Sequence, residues 1–203
     1  MIINYFGDGC FRLQSGDTSL LVDPNNNRLK ADVTLKTLTL PDAHSTGFPQ
    51  SDSGQAGQAA GSIDISEVSF PGEYEFKDIH IQGWPVKSES TGKFLKTVYL
   101  VKWEDMGFVF LGHASGNLEP EIVEELSEQD ILFIPIGEHF FPEEAAVKFS
   151  KKLEPAVVIP SFSKKPDSLA KALGQKTEIQ EKFVFKKKDL ENLKNKAVIL
   201  KTV

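Results

Sequence analysis

Apolar residues gather in short runs along the first half of this chain, each closed by glycine, proline or aspartate. Residues 1–6 end at Gly7-Asp8-Gly9, residues 10–14 at Ser15-Gly16-Asp17, and residues 19–22 at Asp23-Pro24-Asn25-Asn26-Asn27. Runs this short, separated by tight-turn residues, predict the strands of an antiparallel meander. Residues 32–37 predict another strand. Residues 63–70 and 76–86 alternate apolar and polar positions, as half-buried strands do, with a turn expected between them at Pro71-Gly72-Glu73-Tyr74. Residues 97–103 and 108–111 predict a hairpin around Glu104-Asp105-Met106-Gly107. The segment 47–62 is rich in glycine, serine, glutamine and alanine and predicts an irregular loop.

The period then changes. Ile122, Val123 and Leu126 have helical spacing within residues 119–128, and residues 130–135 form an apolar strand. Residues 142–153 predict a helix with proline in its first turn. After it come a strand at 156–160, a short helix at 166–173, a short strand at 183–185 and a closing strand at 197–203. The unit 131–134, 142–153, 156–160 implies a parallel strand pair with its helix on a sheet face. Two sheets with helices outside them satisfy both halves, which places the chain in the α/β (α+β) class.

Composition narrows the class of molecule. The chain has 203 residues, 40% hydrophobic and 26% charged, which suits one globular domain over 1–203. Its single cysteine, Cys10, can form neither an internal disulfide nor a thiolate zinc cluster, and its apolar surroundings predict a small buried hydrophobe. No stretch reads as a signal peptide or approaches the ~20 apolar residues of a membrane span, so a cytoplasmic protein is expected. Residues 145–203 carry 14 lysines against 6 acids, whereas the first 144 residues are strongly acidic. The basic part contains no arginine, the side chain that forks onto phosphate, so solvated lysine faces are favoured over a nucleic-acid partner.

Several segments, in order, resemble the small bacterial branch of the metallo-β-lactamase superfamily that includes ascorbate-phosphate-lactonase-like hydrolases. They are residues 1–13, Ser15-Gly16, Leu20-Leu21-Val22-Asp23-Pro24, Ala31-Asp32-Val33 and Phe70-Pro71-Gly72-Glu73-Tyr74-Glu75, then residues 109–112, 130–137, 143–146 and 153–160. The resemblance implies a four-layer αββα sandwich with its site at the edge where strand ends meet. It also implies a His-x-His-x-Asp-His loop after the strand at 32–37, holding one or two zinc or manganese ions that activate water. Here that loop reads Thr37-Leu38-Thr39-Leu40-Pro41-Asp42-Ala43-His44. Leucine stands at both leading histidine positions, alanine at the last, and His44 is displaced by one residue. Later ligand positions fall near Ser88, at His113 and at Phe162.

Leucine and phenylalanine have no lone pair to donate, so the expectation is a degenerate, metal-free relative with no cofactor, acting as a binding or scaffolding module. The competing reading is a hydrolase of phosphoesters or lactones with one zinc or manganese ion at Asp42, His44 and His113. Each of these has a plainer account: turn capping for Asp42, and a surface or turn imidazole for His44 and His113. His80 is expected on the surface, and His139, which could line the old pocket, is expected in packing or solvent. Leu38 and Leu40 are expected to fill the old pocket, with the segment 47–62 beside it. The partner is an unidentified small molecule or protein, no membrane is involved, and a homo-oligomer stays open.

Overall fold

The computed structural model describes residues 1–40, 66–176 and 178–203, so the expectations at Asp42, at His44 and across 47–62 lie outside the described residues. One sheet has six strands in the order Phe183–Val184, Ile2–Tyr5, Phe11–Ser15, Thr18–Val22, Val33–Leu35 and Glu67–Val68. The first four pair antiparallel and the last two join in parallel. The meander is the one its turns specify. Gly16, at φ +53°, turns the chain within two residues between the second and third runs.

The second sheet runs Lys196–Ala197, Val157–Ser161, Ile131–Pro135, Met106–Phe110, Leu95–Trp103, Ile79–Pro85, Gly72–Phe76, and the short strand Leu38–Thr39 pairs with Leu95 and Lys96. The expected parallel pair is present, Ile131 opposite Val157 through Pro135 opposite Ser161. Two expectations change. Residues 71–74 do not turn, because Tyr74 and Phe76 pack toward the core while Glu73 and Glu75 face out, an alternation that makes Gly72–Phe76 the edge strand. The closing strand also divides: Lys196–Ala197 completes the second sheet, whereas Ile199–Leu200 pairs with Ile179–Gln180.

The two sheets face each other across one core. Ile3, Phe11, Leu13, Leu20 and Val22 come from the first, and Ile81, Val101, Phe108, Phe133 and Val157 from the second. Phe11 and Phe133 meet across the gap with ring centroids 4.7 Å apart. The opposite face of the second sheet carries Val98, Leu100, Val109, Leu132, Ile134 and Val158, and the three helices cover it: α1 (Pro120–Glu125), α2 (Glu143–Leu153) and α3 (Ser168–Ala172). The expected α/β sandwich of two facing sheets with helices outside is therefore present, and among the described residues α1, α2 and α3 lie on the outer face of the second sheet. In α2, Glu143 and Glu144 lie in the first turn and Lys151 and Lys152 in the last, which suits the helix dipole. Glu154, left-handed at φ 50°, ends it. Among the described residues no helix is long and apolar enough to cross a membrane.

Candidate functional site at the sandwich edge

Five chain segments leave the C-terminal ends of their strands at one edge of the sandwich, the place where open α/β sheets bind ligands. Asp23 follows Thr18–Val22, Thr37 follows Val33–Leu35, and His113 follows Met106–Phe110. Phe140 and Phe162 follow Ile131–Pro135 and Val157–Ser161. Asp23 takes a left-handed conformation, φ 44°, with its N–H on the carbonyl of Leu35 at 2.9 Å. That geometry turns its carboxyl inward. The N–H of Thr37 donates to Asp23 Oδ1 at 2.7 Å, and the Thr37 hydroxyl donates to Oδ2 at 2.5 Å.

The Thr37 oxygen lies 2.8 Å from His113 Nδ1. Its one hydrogen is already given to Asp23, so the ring must be the donor, which assigns the proton to Nδ1 and leaves the lone pair on Nε2. Burial pushes the Asp23 carboxyl above its ordinary range, against the pull of His113 and the Thr37 hydrogen bonds. Burial also holds His113 below its usual 6.5; Asp23 opposes this and the Lys96 ammonium adds to it. Gly112, at φ +53°, passes so close to the Thr37 side chain that a Cβ there would collide with it.

Beside this chain of hydrogen bonds sits an aromatic pair. Phe140 and Phe162 stack with centroids 4.4 Å apart, and the His113 ring lies 5.2 Å from Phe162 and 6.1 Å from Phe140. Phe162 adopts φ 57°, a conformation that costs a side-chain-bearing residue about 1–2 kcal/mol. It is held there by the Tyr5 hydroxyl, which accepts the Phe162 N–H at 3.3 Å, and by Gly9, whose missing Cβ makes room for the ring.

A third group completes the edge. The Glu89 carboxylate, 7% exposed, accepts from Lys96 Nζ at 2.9 Å and from the N–H groups of Ser115 at 2.8 Å and Asn117 at 3.2 Å. Burial alone would raise its pKa; the bonds from Lys96, Ser115 and Asn117 outweigh burial and hold it below the ordinary range.

Of the residues singled out in the sequence, His113 and Phe162 stand at this edge. His80 and His139 are exposed, and Ser88 donates its hydroxyl to the Asn117 carbonyl at 2.8 Å. Leu38 and Leu40 do not plug the old pocket, being 38% and 74% exposed. Leu38–Thr39 is anchored on Leu95–Lys96 and through Thr39 Oγ1 on the Ser69 carbonyl, which leaves the leucines outward; the groups that fill the edge are Phe140 and Phe162. Asp23, Thr37, Glu89 and Lys96 were not marked as site residues by sequence; only an aspartate closing an apolar run hinted at the first. Cys10 is fully buried, its thiol pushed up by burial, as expected of a packing residue.

The described residues do not fit a resident transition-metal ion. Tight binding needs several lone pairs converging at about 2.0–2.2 Å. Here the oxygens of Asp23 and Glu89 already accept hydrogen bonds from protein donors, Phe162 has no lone pair, and His113 offers one nitrogen. No group of three or more His, Cys, Asp or Glu is placed to hold an ion among the described residues.

The fold matches solved structures over nearly the whole chain. A protein described as a Zn-dependent hydrolase of the metallo-β-lactamase superfamily from Thermotoga maritima superposes with a TM-score of 0.70 at 20% identity, covering 98% of this chain and 97% of that one. Igni18, a metallo hydrolase from Ignicoccus hospitalis, matches with a TM-score of 0.60 at 15% identity, over 91% and 99%. An isothiocyanate hydrolase from Delia radicum gut bacteria matches with 0.57 at 12%, over 91% and 99%. At such identities the likeness establishes the fold. No curated protein matches the sequence. The family model described as the β-lactamase superfamily domain matches residues 2–161, and with the two-sheet frame and its edge site in place, the chain belongs to that superfamily.

Proposed function

We propose that this protein is a metal-free binding or scaffolding member of the superfamily, with its binding edge at His113, Phe140 and Phe162. What supports the reading is how few free ligand groups the edge presents: each oxygen of Asp23 accepts from Thr37, those of Glu89 accept from Lys96, Ser115 and Asn117, and Phe140 and Phe162 have no lone pair. What the edge then offers is aromatic surface, one imidazole and the exposed Leu38 and Leu40. That chemistry suits an apolar or aromatic group, carried by a small molecule or a protein segment.

A second reading keeps a mononuclear hydrolase at Asp42, His44 and His113. It is favoured by the Thr37 bond to Nδ1, which presents Nε2 as an acceptor in the way that outer hydrogen bonds orient metal-bound histidines. Elemental analysis after dialysis without chelator separates the two. The metal-free reading expects zinc, manganese and iron far below one equivalent. A ratio near one that collapses in His113→Ala overturns it in favour of the hydrolase.

A further inference from the structure

The lopsided charge of the chain has a counterpart on its surface, beside the edge site and bounded by the same Ser115–Asn117 loop. Helix α2 lines up Ala145, Lys148, Phe149 and Lys152 along one flank, at the three- and four-residue spacings that share a helix face. This flank is one wall of a groove of about 300 Å³, and Ser115 and Asn117 belong to the other. Phe149 packs on the buried Phe141, centroids 5.1 Å apart, and gives the groove an apolar floor. No acid lines it, and among the described residues neither Lys148 nor Lys152 has an ion-pair partner.

A complementary feature lies at the end of the second sheet. Among the described residues Gly72–Phe76 is the terminal strand, paired on one side only with Ile79–Pro85. Its exposed Glu73 and Glu75 project from the same face, and Phe70, just before it, is 49% exposed. Two residues of strand separate the carboxylates by roughly 7 Å. One turn of helix separates the two lysines by roughly 6 Å. The two pairs match in spacing and are opposite in sign, and each has an aromatic group beside it.

We propose that the groove between α2 and Ser115–Asn117 receives the Phe70–Glu75 edge of a second copy of this chain. Glu73 and Glu75 of that copy pair with Lys148 and Lys152, and Phe70 comes to rest against the Phe149 wall. Within one molecule the edge and the groove cannot meet. The edge strand ends the second sheet, while α2 packs over Ile131–Pro135, four strands further in. The contact is therefore head-to-tail, joining the edge of one copy to the groove of the next in an open chain or a closed ring. It stands whatever the chemistry of the His113 edge.

Sedimentation of the full chain over a wide concentration range tests the proposal. At low salt the average mass should climb with concentration, and it should fall back to the monomer in high salt. The groove reversal Lys148→Glu with Lys152→Glu should stay monomeric, as should the edge reversal Glu73→Lys with Glu75→Lys. Mixed in equal amounts, the two variants should associate again, since each supplies what the other lacks. All four substitutions are on exposed positions, and unchanged circular dichroism confirms that both variants fold. A wild-type chain that is monomeric throughout, reversals that leave association intact, or a mixture that stays monomeric would each overturn the proposal.

Discussion

Thr37 has one hydroxyl hydrogen, and where it goes decides which way its hydrogen bond with His113 runs. Given to Asp23, it obliges His113 to donate through Nδ1 in a buried setting. Burial disfavours the charged ring, so the folded protein holds the His113 pKa below 6.5 while the unfolded chain does not. As the pH falls past 6.5 the unfolded chain gains a proton that the folded one refuses. The stability that His113 contributes above that pH is then lost on the way down to its folded pKa. Asp23 acts in the opposite sense, since its raised pKa lets the folded state take up a proton first. The lowered carboxylates Asp32, Glu67 and Glu89 act lower, near and below their usual 3.8 to 4.5. His113→Asn, which keeps a neutral donor near the Nδ1 position, should lose less stability than the wild type between about pH 7 and about pH 5. Urea unfolding at the two pH values measures this, and equal losses would mean that His113 does not titrate as its burial requires.

Among the elements, the turns that close strands divide into those set by local chemistry and those set by what packs on them. Gly16 and Gly112 have the same φ, +53°, yet nothing lies within 4 Å of a Cβ built on Gly16, whereas one on Gly112 strikes Thr37. Gly16→Ala should therefore cost only the left-handed strain, about 1–2 kcal/mol. Gly112→Ala should cost roughly 3 kcal/mol or more, because Thr37 must leave Asp23 and His113 to make room. Denaturant midpoints of the two variants provide the comparison, and equal costs would place Thr37 outside the constraint. The same distinction explains the edge strand Gly72–Phe76. Pro-Gly signals a turn locally, but Tyr74 and Phe76 gain more from lying on the core than the chain gains by turning there.

At the scale of the whole molecule, Phe133 joins the two sheets. It stacks on Phe110 at 4.4 Å within its own sheet and meets Phe11 of the other at 4.7 Å. Phe133→Ala should cost about 3–5 kcal/mol. Near-ultraviolet and far-ultraviolet circular dichroism should still report one coincident unfolding transition, since the core belongs to both halves; two separated transitions would show that the halves fold independently. The strands, the parallel pair, the helix dipole of α2 and the burial of Cys10 were legible in the sequence, because period, turn chemistry and polarity act over a few residues. The order of the loops that form the edge was legible as a resemblance. The state of the edge was not. Thr37 reaches Asp23 across 14 residues and His113 across 76, and a contact of that separation leaves no periodic trace in the chain. Phe162 reads as a lost ligand in one dimension; only in three is it a ring over Gly9, against Phe140 and His113. The sequence by itself determined the frame, since burying apolar faces is a matter of local pattern. Tertiary structure alone decided which side chains use up the carboxylates of the edge, because that depends on where the ends of distant strands meet.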